Sequence, residues 1–377
     1  MYEDKVAMGH SRCMRVLRVA QNLYPEVPGG GSYHVHAMSR DQAEMGHDVT
    51  VLTVSDDDSL PRVEEREGYR VVRKKPSVTL LGNEISVGAC RFLKDAADFD
   101  VMHAHSHLYF STNVAAVKKM LDGVPLAVTN HGLYSQSAPK WMFDIYLRTL
   151  GRVTLNRADT VFSYTEADGR RIREFGVKTD IEVVSNGIDT ERFTPQGEKT
   201  DLIEGENIAL FVGRLVKGKR PQDAVKAVSK LDRAGFDIDL YIVGEGPMRS
   251  ELEEMSGDET TFLGRVPYDD MPKIYRSGDV LVLPSRSEGL PRTVLEAFAS
   301  KLPVVSSNLE HISDIVQQGG ETVEVGDIDG YSDALKKILD DPYEKREQAR
   351  EVVEEKYGWK GTVEETTEVL SRISKRS

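Results

Sequence analysis

Residues 284–305 read PSRSEGLPRTVLEAFASKLPVV, and this stretch decides the fold. The apolar run VLVLP that leads into it, residues 280–284, has the length and content of a buried strand. SEGLP then makes a turn. Pro291 suits the first position of a helix, where its missing N–H would have had no partner, and the helix is expected to continue from Arg292 to Ser300. Strand, turn and helix in this order form half of a parallel crossover unit. Glu288 therefore stands on a loop at the carboxyl end of a strand, and Glu296 lies within the helix that follows. The free N–H groups and positive dipole end of that helix favour an anion beside the same loop. One short region can thus offer a carboxylate to sugar hydroxyls, bare amides to phosphates and a second carboxylate to a ribose diol.

The alternation extends in both directions. Toward the N-terminus, MRVLRVAQ reads as a strand, residues 29–31 as a glycine loop, and SYHVHAMSRDQAEMG as a helix closed by Gly46. HDVTVLTV, DVMHAHS, PLAVTNHG and DTVFSYT are further strands; WMFDIYLRTLGRVTLNRA and EADGRRIREFG are helices. IEVVSNGID ends this half. After a polar stretch the pattern restarts with IALFVGRL, PQDAVKAVSKLDRAG, IDLYIVGEG, MRSELEEMS, TTFLGRV and DMPKIYRSG, and a helical tail begins at Tyr331. The expected class is α/β, with two doubly wound, Rossmann-like domains. The boundaries are residues 14–194 for the first domain, 195–207 for a linker and 208–359 for the second; residues 360–377 cross back onto the first. Residues 1–13 read as a disordered extension, or Met14 as the true start. Facing carboxyl edges would make an interdomain cleft, since ligands of such sheets bind beyond the strand ends. Residues 29–31, His103, His131, 186–187, 213–214, 244–246 and 288–290 all fall on such ends.

Composition sets outer limits. The 377 residues carry a net charge of −13, with a pI near 5.3, which argues against a nucleic-acid binder. Cys13 and Cys90 provide neither a disulfide framework nor metal-ligand spacing, as expected for a reducing cytoplasm. No apolar run reaches the roughly 18 residues that span a bilayer, and the first thirteen residues lack the apolar centre of a signal peptide.

Six segments in a fixed order carry a family resemblance: PGGGSYHVHAMSRDQAEMGHDVTVLT, VTNHG, SNGIDTERF, FVGRLVKGKRPQDAVKA, YIVGEGP and SEGLPRTVLEAFASKLPVVSS. The chain resembles the group 1, family four glycosyltransferases of the GT-B architecture, and the likeness runs from about Met14 to the last helix. The resemblance implies transfer of a sugar from a nucleoside-diphosphate sugar with retention at the anomeric carbon, without a cofactor or an essential metal. It implies that Arg214 and Lys219 clamp the donor diphosphate, that Glu296 holds the ribose, and that Glu288 contacts the transferred sugar beside the amides of Gly289 and Leu290. It further implies a reacting-centre role for His131, a place near the diphosphate for Gly30 and Gly31, and donor contacts around Asn186, Gly213 and Gly244. Metal ligands are expected to be none. The acceptor it suggests is a glycan, glycolipid or lipid-linked intermediate. Two departures stand out: Glu310, His311 and Asp314 occupy positions where relatives commonly have two glycines and a glutamate, and Arg220 stands where a glycine is frequent.

Competing readings remain at this level. His103, His105 and His107 alternate on one strand and suggest zinc, but lack a fourth ligand. GRLVKGKR, residues 213–220, matches a nucleotide-hydrolase phosphate loop except for Arg220 in place of Ser or Thr. The Asp327 and Asp329 pair mimics a metal-binding triplet, and reads more simply as a turn and cap. Residues 140–157 are basic and aromatic, so they form either a peripheral membrane contact or an amphipathic helix with its aromatics in the core. Another GT-B enzyme, an epimerase or small-molecule glycosyltransferase, and a non-catalytic nucleotide-sugar-binding protein are the alternative functions.

Overall fold

The computed structural model describes residues 13–80, 82–96, 98–132, 140–310 and 312–376, with residues 140, 142 and 143 described by backbone alone. The extension expected at residues 1–13 lies outside the described residues except for Cys13, as does His311. The chain divides into two compact units. The first runs to Val184 and takes back Val363 onward; the second is Ser185–Thr362. The stretch 195–207, read as a linker, lies within the second unit, where Thr200 N donates to Ser277 Oγ at 3.0 Å.

Among the described residues the first unit holds an eight-stranded sheet. Its order is Asp180–Val183, Thr160–Ser163, Leu126–Thr129, Val101–His105, Arg15–Val19, Asp48–Val54, Tyr69–Lys74 and Val63–Arg66. All neighbours pair in parallel except the last two strands. The hairpin Val63–Arg66 with Tyr69–Lys74 and the helix Val87–Asp95 are absent from the sequence reading. Their segment is charged and has no sustained apolar period. The strands alternate their side chains between two faces. Leu17, Val19, Leu52, Met102 and Val128 pack on one side. Val16, Val49, Val51, Tyr69 and Val71 pack on the other, where Val369, Leu370 and Ile373 of the helix Trp359–Ser374 join them. The crossing back of the last helix thus has a physical cause: it covers a sheet face that would otherwise be wet.

In the second unit the order is Thr260–Gly264, Asp239–Val243, Ile208–Val212, Val280–Leu283, Val304–Ser307 and Gly320–Val323, all parallel. Its central strands, IALFV and VLVL, are buried along their whole length, as a sheet covered by helices on both faces requires. The helix Ser313–Gly319 and the strand Gly320–Val323 extend beyond the sequence reading. Asp327 is a helix cap, its carboxylate accepting from Gly330 N at 3.0 Å, and Asp329 pairs with Lys230 at 2.6 Å. The triplet is thereby used as turn and cap.

Leu370 is fully buried in the returning helix. Leu370→Ala is expected to destabilise the first unit by about 2–5 kcal/mol, the range for a truncated core leucine. Urea unfolding followed by circular dichroism checks this; a loss below about 0.5 kcal/mol, the usual size of a surface substitution, would contradict the packing.

Candidate active site

Each sheet winds in both directions from a central strand, and the two crossovers leave a crevice where the winding reverses. In the second unit the reversal falls between Ile208–Val212 and Val280–Leu283, so the loops that leave these two strands lie side by side. One loop is GRLVKGKR and the other is PSRSEGLP. Arg286 N donates to Gly218 O at 2.9 Å and ties them together. Across this join Lys219 Nζ donates to Glu288 Oε1 at 2.5 Å. The Glu288 side chain is 3% exposed and that of Lys219 is 14% exposed, so the pair is largely desolvated and strongly held. Arg214 stands exposed near the start of the same loop, which Leu215 anchors in the core.

The helix after the second loop spans Arg292–Ala299, and Pro291 precedes it as the cap residue in an extended conformation. Pro291 was expected inside the first turn; it sits one position earlier, and the helix closes at Ala299 rather than Ser300. Leu290 is buried, and residues 288–290 lead directly into the start of this helix. Glu296 is 4% exposed, and two tyrosines bind it. Tyr268 OH donates to Oε1 and Tyr275 OH to Oε2, each at 2.8 Å. Burial beside this carboxylate holds the Tyr275 hydroxyl well above its usual range. Arg292 reaches from the first turn to Gly187 O at 3.2 Å, Asn186 Oδ1 at 3.5 Å and Tyr268 OH at 3.2 Å. Asn186 is thus brought to the entrance of the Glu296 helix, although 110 residues separate the two in sequence. Gly213 and Gly244 end adjacent strands. At Gly244, φ is 140° and a Cβ would overlap the Gly213 carbonyl, so only glycine allows this approach.

Arg220 adopts a left-handed φ of 50°, a conformation that glycine takes without strain. Its Nε holds Asp223 at 2.5 Å. The helix begins only at Pro221, after the loop has ended. Glu310 is exposed, and Asp314 lies in the first turn of the helix Ser313–Gly319.

In the first unit the reversal falls between Arg15–Val19 and Val101–His105. Gly30 and Gly31 open the helix Gly30–Glu44, two residues before the expected start. A Cβ on Gly31 would come within 3.7 Å of His131 Nδ1, so the bare glycine backbone lies against the imidazole. Both nitrogens of His131 are engaged: Nε2 with His105 Nδ1 at 3.0 Å, and Nδ1 with Tyr164 OH at 2.7 Å. His103 and His105 share one face, their rings 4.4 Å apart, and both meet Arg18. His107 lies past the strand end, stacked on Tyr146. The alternation therefore builds a hydrogen-bonded histidine chain from two of the three residues.

Residues 140–155 are helical, with a π-helical stretch at Leu147–Gly151. Tyr146 turns inward, its hydroxyl donating to His107 O at 2.5 Å, but Trp141 is 65% exposed. The expectation that these aromatics occupy the core fails for Trp141. No described helix is long and apolar enough to cross a membrane.

Arg18, Tyr164, Tyr268 and Tyr275 escaped the sequence reading, as did the contacts of Arg292. None of the first four sits in a motif that marks it, and only the fold brings each to a residue named above.

Comparison with known proteins agrees with this construction. The model for Glycosyltransferase Family 4 matches residues 28–192, and that for Glycosyl transferases group 1 matches residues 193–356. A glycogen synthase of Mycobacterium tuberculosis is 29% identical over 89% of each chain. An Escherichia coli UDP-galactose:GlcNAc-diphosphoundecaprenol galactosyltransferase is 28% identical over 64% of this chain and 67% of its own. Among solved structures, sucrose-phosphate synthase from Thermosynechococcus elongatus superposes with a TM-score of 0.81 at 18% identity, covering 96% of this chain and all of that one. Anabaena HepE with UDP-glucose gives 0.78 at 16% identity, over 95% and 100%. The fold is that of the GT-B enzymes, two Rossmann-like domains with parallel sheets. The chain belongs to the group 1 glycosyltransferases, enzymes that use nucleotide sugars.

Burial lowers the proton affinity of six histidines in the first unit. His107 and His131 fall to about 4, His103 and His105 lie well below their usual value, and His36 and His47 are lowered as well. Each takes up a proton on unfolding when the pH is below the unfolded value of about 6.5. The unfolded state then binds more protons, so stability is full above that pH and is lost as pH falls toward about 4. Calorimetry between pH 7.5 and 5 is expected to show a falling Tm, with each histidine contributing up to about 1.4 kcal/mol per pH unit. A Tm that holds constant or rises across this range would contradict the burial.

Proposed function

We propose that the protein is a retaining, metal-independent glycosyltransferase. In this reading the second unit binds the nucleoside diphosphate and the first supplies the acceptor side. The observation that carries it is the joining of the loops 213–220 and 284–291, with Lys219, Arg214 and a helix N-terminus gathered at one sheet reversal. When the glycosidic bond breaks, negative charge develops on the β-phosphate. Two cations and the positive end of the helix stabilise that charge. Glu296, fixed by two tyrosine hydroxyls and beside Arg292, receives the ribose diol.

Glu288 hydrogen-bonds the transferred sugar rather than attacking it. Its Oε1 is already held by Lys219, whereas a double displacement needs a carboxylate close beneath the anomeric carbon. Same-face attack follows, with the leaving phosphate accepting the acceptor's proton. The acceptor is a glycan, glycolipid or lipid-linked intermediate handled in the cytoplasm, and the exposed Trp141, Ile145 and Val153 with Arg148 and Arg152 suit transient contact with an anionic membrane. The family members named above that act on a polymer or on a diphosphoundecaprenol carrier support this range.

A thermal-shift screen of nucleoside diphosphates and their sugars is expected to raise the Tm for one base, since a ligand that binds the folded state stabilises it. Transfer by the matching donor should then persist in EDTA and vanish in the Arg214→Ala, Lys219→Ala double variant. Activity lost in EDTA and restored by manganese, or full activity in the double variant, would overturn the mechanism. Donor binding without transfer or hydrolysis would favour a non-catalytic binder. Separately, Glu296→Gln is expected to weaken donor binding by about 1–3 kcal/mol, the worth of a charged hydrogen bond. Isothermal titration measures this, and unchanged affinity would remove the ribose role.

A further inference from the structure

Arg18 is fully buried in the strand Arg15–Val19, and among the described residues no carboxylate pairs with it. Burial lowers its pKa to about 9, which leaves it charged at neutral pH. An unpaired buried cation is expensive to keep. Its partners are two imidazoles and an amide. Nη1 lies 3.1 Å from His103 Nδ1 and 3.2 Å from His105 Nε2, and Nη2 donates to Gln42 Oε1. Gln42 in turn donates to Thr367 Oγ1 at 2.8 Å in the returning helix.

A guanidinium has donors only. Every bond outward from it therefore has a forced direction. His103 Nδ1 accepts, so its proton is on Nε2, which donates to Thr129 Oγ1 at 2.7 Å. His105 Nε2 accepts, so its proton is on Nδ1, which donates to His131 Nε2 at 3.0 Å. His131 must then carry its proton on Nδ1, the edge that meets Tyr164 OH at 2.7 Å and faces the bare backbone of Gly31. Burial keeps all three rings neutral at pH 7.

We propose that Arg18 is a positioning residue that sets the tautomers of His105 and His131. In the transferase reading above, on which this role rests, His131 is a donor at Nδ1 rather than a base, and a sugar oxygen takes that N–H by displacing Tyr164 OH, which accepts it here. The buried charge thus acts two residues away, through a chain of fixed polarity.

Long-range proton–nitrogen correlation spectra of the nitrogen-15-labelled full chain at pH 7 report each tautomer directly, with peaks assigned by single His→Gln variants. The expected result is Nδ1–H at His105 and His131 and Nε2–H at His103. An Nε2–H or doubly protonated His131 overturns the proposal, and this readout needs no variant of Arg18 to fold. Arg18→Met is expected to give His131 a mixed tautomer and to lower kcat for sugar transfer roughly 10- to 100-fold, the usual effect of losing a group that orients a functional histidine, while Arg18→Lys restores both. A pure Nδ1–H signal at His131 in Arg18→Met, or a changed tautomer with unchanged kcat, overturns it. The spectra require no substrate, so failure of every nucleotide sugar to react would sink the transferase reading while leaving the tautomer result to stand or fall alone.

Discussion

A parallel sheet that is covered on both faces has one place where its crossovers part, and the candidate functional residues of this chain depend on that constraint. Right-handed connections must go to one face or the other. Where successive connections change face, two strand ends lose their helical cover and their loops are left to meet each other. In the second unit those loops carry Lys219 and Glu288, 69 residues apart in sequence and 2.5 Å apart in space. In the first unit the same constraint sets the glycine loop after Arg15–Val19 beside His131, which follows Leu126–Thr129 and meets His105 at the end of Val101–His105. The chemistry is local to each reversal, and the rest of each domain holds the strands that define it.

The two sites are built differently. The second is a charge-handling site: a lysine held by a buried carboxylate, an exposed arginine, and a carboxylate fixed by two tyrosine hydroxyls. Its groups are strongly polar, and Lys219, Glu288 and Glu296 each have a partner. The first unit is a proton-ordering site. Its histidines are neutral because they are buried, and their hydrogen bonds have direction because a guanidinium lies at the origin. A buried cation that no carboxylate pairs among the described residues is a poor stabilising element, and its presence is intelligible as a means of specifying proton positions. The resulting acid sensitivity is a consequence of the same burial.

Much of this was legible in the sequence, for identifiable reasons. The strands VLVL and IALFV are continuous apolar runs bounded by glycine or proline, and the helices near them have clear amphipathic period, so the alternation and the class of fold could be read. Glu288, Glu296, Lys219 and Arg214 lie in motifs with fixed spacing, and the structure places them around one reversal. The segment 55–100 was opaque because its short hairpins and edge strand are half-exposed and charged, leaving no period to detect. Tyr268 and Tyr275 were opaque for another reason: a tyrosine beside a helix looks like core until the fold brings its hydroxyl to a carboxylate. Arg18 is one charge within a strand, and nothing in MRVLRVAQ distinguishes it from Arg15. Pro291 and the helix end were each misjudged by one residue, since capping is decided by backbone torsions that composition only suggests.

The account's central claim is that the donor's nucleoside diphosphate is held at the reversal in the second sheet. Hydrogen–deuterium exchange of the full chain, with and without a stabilising nucleoside diphosphate, addresses it most directly. The account predicts slowed exchange concentrated in residues 213–220 and 285–292, with smaller changes near Tyr268. Protection confined to the sheet edges, at Thr260–Gly264 or Gly320–Val323, with those loops unchanged, would contradict it.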